Sequence, residues 1–141
     1  MDIRQITPDF AVAAQIEPDD MATLAAAGFK TVINNRPDDE VPIELHSDIM
    51  RIAAEAAGLA YVVNPVVNGA MTMGMVEAQG AACQNSPGPV FAWCRSGTRS
   101  SIVWALSQAN QMPAPEITAA LSKAGYDIPG LEAQIKSLVQ H

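Results

Sequence analysis

The chain is poor in the residues that build metal sites, disulfide frameworks and nucleic-acid interfaces. Its 141 residues include two Cys and two His, and aromatics make up only 5%. Two Cys cannot form a disulfide framework or supply four zinc ligands, and His46 and His141 do not complete a metal site. Basic residues are also scarce: 8 Lys and Arg stand against 15 Asp and Glu, for a formal net charge of −7. Such a balance lacks the positive footprint that a phosphate backbone requires, which argues against a nucleic-acid scaffold. No apolar run reaches bilayer-spanning length. The opening Met1-Asp2-Ile3-Arg4-Gln5 lacks the basic start and apolar stretch of a signal peptide. The expected address is the cytoplasm, where a free thiol survives and no membrane is engaged.

What is present suffices for one compact domain spanning 1–141. Apolar residues make up 49% of the chain and charged ones 16%, a globular composition. Turn signals divide the chain into alternating elements. Residues 3–16 read as a strand pair or extended entry. A helix opens at Glu17-Pro18-Asp19-Asp20 and closes at Gly28. Strand-like runs follow at 29–34, 59–65 and 89–93, the last fully apolar as a central strand should be. Between them lie a polar loop at 35–40, a helix over 45–57 and another over 71–84. A helix from about 98 to 111 and two more, near 114–124 and 129–140, finish the chain. This alternation predicts an α/β three-layer fold, with a mainly parallel sheet flanked by helices. Ligands bind such sheets at the carboxyl ends of the strands.

The loop after strand 89–93 reads Cys94-Arg95-Ser96-Gly97-Thr98-Arg99-Ser100-Ser101. It joins a buried strand to a helix start. There, successive backbone N–H groups can curl into an anion cup and the helix dipole adds positive charge. Gly97 permits the tight turn, and Arg99 can close the cup with a planar fork of donors. Two of the eight basic residues fall within five positions of Cys94 in an otherwise acidic chain. A cysteine in such surroundings is placed to act as a thiolate nucleophile.

The string Cys-Arg-Ser-Gly-Thr-Arg-Ser resembles two active loops. Rhodanese-type sulfurtransferases use a six-residue Cys-Arg-x-Gly-x-Arg loop, and cysteine-dependent phosphatases use Cys-x5-Arg. The spacing from Cys94 to Arg99 is Cys-x4-Arg, the rhodanese length. Ile33-Asn34-Asn35-Arg36-Pro37-Asp38, the strand ending in Asn64-Pro65 and the helical tail resemble the phosphatase-like domain of the bacterial beta-lactamase hydrolase-like proteins. That resemblance covers nearly the whole chain. It implies a cysteine-phosphatase-like fold and either sulfur transfer or phosphatase activity.

Both chemistries start from Cys94 with no metal or organic cofactor. The small anionic substrate is thiosulfate or a persulfide in one case and a phosphate ester in the other. Three features favour sulfur transfer through a Cys94 persulfide. The cup is small. The segment 61–73, where small dual-specificity phosphatases carry their acid, holds Asn64 and no Asp or Glu. Trp93 stands where tyrosine phosphatases usually have His. Against this, Asp38, Asp39 or Glu40 offers an acid from the Arg36 loop. The alternative is therefore a tyrosine or dual-specificity-type phosphatase acting through a Cys94 phosphocysteine.

In either case Cys94 is the nucleophile and Arg99 the anion clamp, with Ser100 a candidate partner of the thiolate or the leaving sulfur. Arg95, Ser96, Gly97 and Thr98 would form the cradle, Ser96 and Thr98 through their backbone N–H groups. Arg36 stands near the pocket or in a loop salt bridge with Asp38 or Glu40. Cys83 reads as a core thiol, although a redox sensor would use it as the partner of Cys94. Met71, Met73 and Met75 read as gap fillers or pocket lining. His46 reads as a helix-surface residue and His141 as a frayed end, and neither is a good base for Cys94. A binding module without catalysis would want Cys94 or Arg99 replaced. Nothing in the sequence fixes the oligomeric state.

Overall fold

A computed structural model describes residues 1–139; His141 lies outside the described residues. Five short strands form one sheet: β1 (Arg4–Thr7), β2 (Phe10–Ala13), β3 (Thr31–Asn34), β4 (Ala60–Val63) and β5 (Val90–Trp93), in the order β1-β2-β5-β3-β4. Only β1 runs antiparallel, paired with β2 after a tight turn. The other pairs are parallel, so β2, β5, β3 and β4 end at one edge of the sheet. The three-layer α/β expectation and the central place of β5 both hold.

Alternation along the strands divides the core in two. Phe10, Val12, Ile33, Val90 and Ala92 face one layer, and Ala11, Ala13, Val32, Phe91 and Trp93 face the other. Helices α1 (Asp20–Ala26) and α2 (Ser47–Ala56) cover the second face through Met21, Leu24, Met50 and Ala54. The first face takes α3 (Met73–Asn85), α4 (Thr98–Ser107), α5 (Ala114–Lys123) and α6 (Leu131–Ser137). There Phe10 stacks on Trp104 at 5.1 Å between ring centroids. β4 is the edge strand, and Val63 on it stays exposed.

Several elements are shorter than their sequence patterns suggest. α4 ends at Ser107, not near 111, because the chain leaves the helix through turns at 108–112 before Pro113. The Ser107 hydroxyl donates to the Trp104 carbonyl at 2.6 Å, back-bonding within this last turn. The loop at 35–40 contains a 3₁₀ turn, Asp38–Glu40, and a second one, Ile43–Leu45, precedes α2. His46 is not on a helix surface but at the N-cap of α2, half-buried, its ring Nε2 3.1 Å from the Val41 carbonyl. Gly80, in the middle of α3, lies where a Cβ would come within 3.3 Å of Ser107 Cβ, so its lack of a side chain lets α3 approach α4.

A buried polar knot ties the strand ends to the helices on the first face. Asn35, just beyond β3, donates from Nδ2 to the Asn64 carbonyl and to Gln79 Oε1, both at 2.9 Å. Asn64 Nδ2 reaches the same Gln79 oxygen at 3.0 Å and the Met75 carbonyl at 2.9 Å. Gln79 Nε2 returns a bond to Asn35 Oδ1 at 3.3 Å. All three side chains are buried, and a buried donor left without a partner is costly. Replacing Gln79 by Leu is expected to cost about 1–3 kcal/mol for each amide left unpaired. The measurement is urea unfolding, and a midpoint equal to that of the parent would show that the knot contributes nothing.

Candidate active site

β5 delivers Cys94 to the shared strand edge, and α4 begins four residues later. Cys94 is fully buried. The Gly97 N–H donates to Cys94 Sγ at 3.1 Å, so the loop folds over its own sulfur. Gly97 has φ +90, in the left-handed region, and a Cβ at this position would collide with the Tyr126 hydroxyl. That hydroxyl donates to the Ser96 carbonyl at 3.1 Å and holds the crest of the loop. Arg4 stacks on the Tyr126 ring at 5.4 Å and donates from Nη1 to the Ala124 carbonyl, fixing the tyrosine from behind.

Arg99 is 6% exposed. Its Nη1 donates to the Val66 carbonyl at 2.7 Å. Its two terminal nitrogens also grip Glu40, Nη1 to Oε2 at 2.8 Å and Nη2 to Oε1 at 2.6 Å. This is the two-pronged geometry that a guanidinium uses for carboxylates and phosphates alike. The hydrogen bonds from Arg99 hold the Glu40 carboxyl below its ordinary range; burial opposes them, and the charge of Arg99 and then the contacts of Arg36 add to the lowering. In turn Glu40, with a smaller contribution from Cys94, raises Arg99 further above its usual value.

The other expected residues fall around this pair. Arg36 makes the loop salt bridge, Nε to Glu40 Oε1 at 3.4 Å, and also donates to the Glu40 carbonyl at 3.1 Å and to Gln15 Oε1 at 3.2 Å. Gln15 donates its backbone N–H to the Arg95 carbonyl at 3.3 Å, which links Arg36 to the loop. The Arg95 residue itself is exposed. The Thr98 N–H donates weakly to Ser96 Oγ at 3.4 Å, and the Ser96 hydroxyl donates to Thr98 Oγ1 at 3.1 Å. Ser100 is buried, and its hydroxyl proton goes to Asn35 Oδ1 at 2.8 Å, joining the polar knot.

The acids after β3 separate cleanly. Asp38 accepts the Ser47 N–H at 2.7 Å at the start of α2. Asp39 is exposed, and only Glu40 reaches the loop. Asn64 is committed to the knot. Trp93 packs on the far face of the sheet between Phe91 and Tyr61, so it backs the site and does not line it. Met71 and Met75 pack against the core, whereas Met73 is exposed. Cys83 is half-buried on α3, and burial pushes its thiol up to about 11, which keeps it protonated and unreactive. Among the described residues, no cluster of His, Cys, Asp or Glu could hold a metal, and no helix is long and apolar enough to cross a membrane.

Sequence reasoning missed Tyr126, Gln79 and the support that Asn35 gives to the site. A polar Gln in the middle of a helix and an Asn directly after a β-branched strand were the available signals.

The sequence profile described as "Beta-lactamase hydrolase-like protein, phosphatase-like domain" matches residues 2–111. A beta-lactamase hydrolase-like protein of Xylella fastidiosa is 33% identical over 130 residues, which make up 91% of this chain. The chain spans 30% of the length of that relative. A crystal structure from Neisseria meningitidis, provisionally described as a phosphatase, has a TM-score of 0.83 at 27% identity and covers 98% of this chain and 99% of its own. The structure of Pseudomonas aeruginosa TpbA with phosphotyrosine shares the fold, with a TM-score of 0.65 at 17% identity, covering 95% of this chain and 82% of its own. The fold is cysteine-phosphatase-like.

The loop geometry yields a direct expectation. Gly97→Ala forces a side chain into a left-handed conformation, at about 1–2 kcal/mol before any clash, and into Tyr126. It should lower the melting temperature and disturb alkylation of Cys94 by iodoacetamide. Adding Tyr126→Ala should recover part of the melting temperature. No recovery would mean that the collision with Tyr126 is not what constrains the loop.

Proposed function

The chain belongs to the phosphatase-like domain family of the beta-lactamase hydrolase-like proteins, and from that premise we propose that it is a cysteine-dependent phosphomonoester hydrolase. The observation that carries this reading is the Arg99 fork. It sits in the first turn of the helix that follows the Cys94 loop, and it already grips two oxygens of an anionic group. A phosphoryl group presents two oxygens in the same arrangement. The fold neighbours support phosphorus chemistry over sulfur transfer, and the phosphotyrosine seen with TpbA makes an aryl phosphate the natural first substrate.

In this mechanism the Cys94 thiolate attacks phosphorus and the ester P–O bond breaks. The sulfur then carries the phosphoryl group, and water attacks phosphorus and releases phosphate and thiolate. Arg99 and the N–H groups of the loop Arg95-Ser96-Gly97-Thr98 stabilise the equatorial oxygens, where charge gathers in the transition state. The Val66 carbonyl fixes the angle of the guanidinium from behind. Ser100, its proton given to Asn35, would act as a support of the loop.

Sulfur transfer remains the second reading because of one feature. Only four residues separate Cys94 from Arg99, a cup short for a tetrahedral phosphoryl group. A sulfane sulfur on Cys94 would fill less of it.

The two readings part in one experiment, p-nitrophenyl phosphate hydrolysis run beside intact mass spectrometry after thiosulfate or glutathione persulfide. The phosphatase reading expects turnover that Cys94→Ser abolishes. Arg99→Lys should lower it about 100- to 1000-fold, because a point charge does not replace a fork. A gain of one sulfur on the parent alone, reversed by dithiothreitol, with no ester turnover, would put sulfur transfer in its place.

A further inference from the structure

We propose that Glu40 is both the internal ligand of the Arg99 fork and the acid that protonates the leaving oxygen of the substrate. This rests on the phosphatase reading and names the proton donor that the reading lacks. Glu40 holds both oxygens on Arg99 within 2.8 Å, and its side chain is 29% exposed. A phosphate ester that docks on Arg99 must therefore take the place of this carboxylate. The backbone does not have to move for that to happen. Arg36 holds the Glu40 carbonyl, and Asp38, two residues earlier, is fixed at the start of α2. Side-chain rotation alone frees the carboxyl and leaves it beside the cup.

Displacement also changes its chemistry. On Arg99 the carboxylate is kept ionised by two guanidinium groups. Off Arg99, next to an incoming dianion, it loses the stronger of these partners and gains a like charge, so it takes up a proton from solvent. The balance is complete. As sulfur bonds to phosphorus and the ester P–O bond breaks, the carboxyl proton passes to the departing oxygen. Glu40 is left as a carboxylate, which removes a proton from the water that attacks phosphocysteine. Other nearby candidates among the described residues are committed elsewhere or do not reach Arg99. The segment 61–73 carries no Asp or Glu, and Asn64 is locked in the knot. Burial raises the Tyr126 hydroxyl above its ordinary value, and its proton is engaged on Ser96. The His46 ring is turned to the Val41 carbonyl.

The test compares the parent with Glu40→Gln on two esters, p-nitrophenyl phosphate and phenyl phosphate, with inorganic phosphate as a competitive inhibitor. Phenolate is the poorer leaving group and needs the proton. Glu40→Gln should lose about 100- to 10,000-fold in kcat/KM, which extends only through cleavage of the ester P–O bond, on phenyl phosphate and far less on p-nitrophenyl phosphate. Inorganic phosphate should bind about tenfold more tightly once the internal ligand is weakened. Glu44→Gln, on the exposed turn that follows, should match the parent in all three readings. Equal losses on the two esters would overturn the acid role, and unchanged phosphate inhibition would overturn the ligand role. If Glu40→Gln fails to fold, Glu40→Asp serves, since it keeps an acid but shortens the reach to Arg99. It should bind phosphate more tightly while retaining much of the parent's activity on phenyl phosphate. A parent that hydrolyses neither ester would sink the phosphatase reading itself, a result distinct from a Glu40 variant that behaves like an active parent.

Discussion

Asn35 is the residue on which the rest of the site leans. It is fully buried one position beyond β3, and both of its backbone groups and both ends of its side chain are engaged. Its N–H donates to the Trp93 carbonyl at the end of β5, and its carbonyl accepts the Val66 N–H, each at 2.9 Å. Its side chain joins the end of β4, Gln79 on α3 and Ser100 on α4. Val66 in turn offers its carbonyl to Arg99. One amide side chain thus sets the relative positions of the β5 end, the segment behind the guanidinium and the first turn of the helix that bears it. An unpaired buried amide is costly, so these distances are enforced together and not one at a time.

The knot also explains which parts of the site were legible in the sequence. The strand–loop–helix around Cys94 is local. A fully apolar strand, a glycine able to adopt positive φ and an arginine at fixed spacing all lie within about ten residues of one another, and each has a meaning that does not depend on the rest of the chain. The layered architecture followed from the same kind of signal, strand-like and helix-like runs alternating along the chain with turn residues between them. Asn35 meets Gln79 across 44 residues of sequence and Ser100 across 65, and no periodicity encodes such meetings. Tyr126 escaped for the same reason, since its partner Ser96 is 30 residues away. Helix ends were overextended where a composition suited to helix ran on past a back-bonding side chain, as at Ser107.

The electrostatics of the site turn on how few cations an acidic chain can spend. Of 8 basic residues, Arg36, Arg95 and Arg99 stand at or beside the loop. Two of these three share Glu40. Without that carboxylate, Arg99 would be a nearly buried guanidinium beside a nucleophilic sulfur, costly to keep desolvated and ready to capture any passing anion. With it, the charge of Arg99 is offset and the guanidinium is already oriented. Substrate binding then becomes an exchange of one anion for another, which needs less reorganisation than assembling the clamp anew.

Topology favours an acid on the loop after β3. The strand order places β3 directly beside β5, whereas β4 lies one strand further out. Neighbouring strands are about 4.8 Å apart, so a side chain from the end of β3 starts roughly one strand spacing closer to Cys94 than one from the end of β4. The segment after β4 holds Asn64, turned inward to the knot, and Val66, which faces Arg99 with a carbonyl. An acid inserted there would have to displace the very groups that fix the guanidinium. In the loop after β3, Asp38 caps α2, Arg36 reaches Gln15, and Glu40 extends its carboxylate to Arg99. A single sheet edge can therefore divide its tasks by strand. β5 supplies the candidate nucleophile, the end of β4 supplies the scaffold for the guanidinium, and β3 supplies both the keystone amide and the carboxylate that meets Arg99.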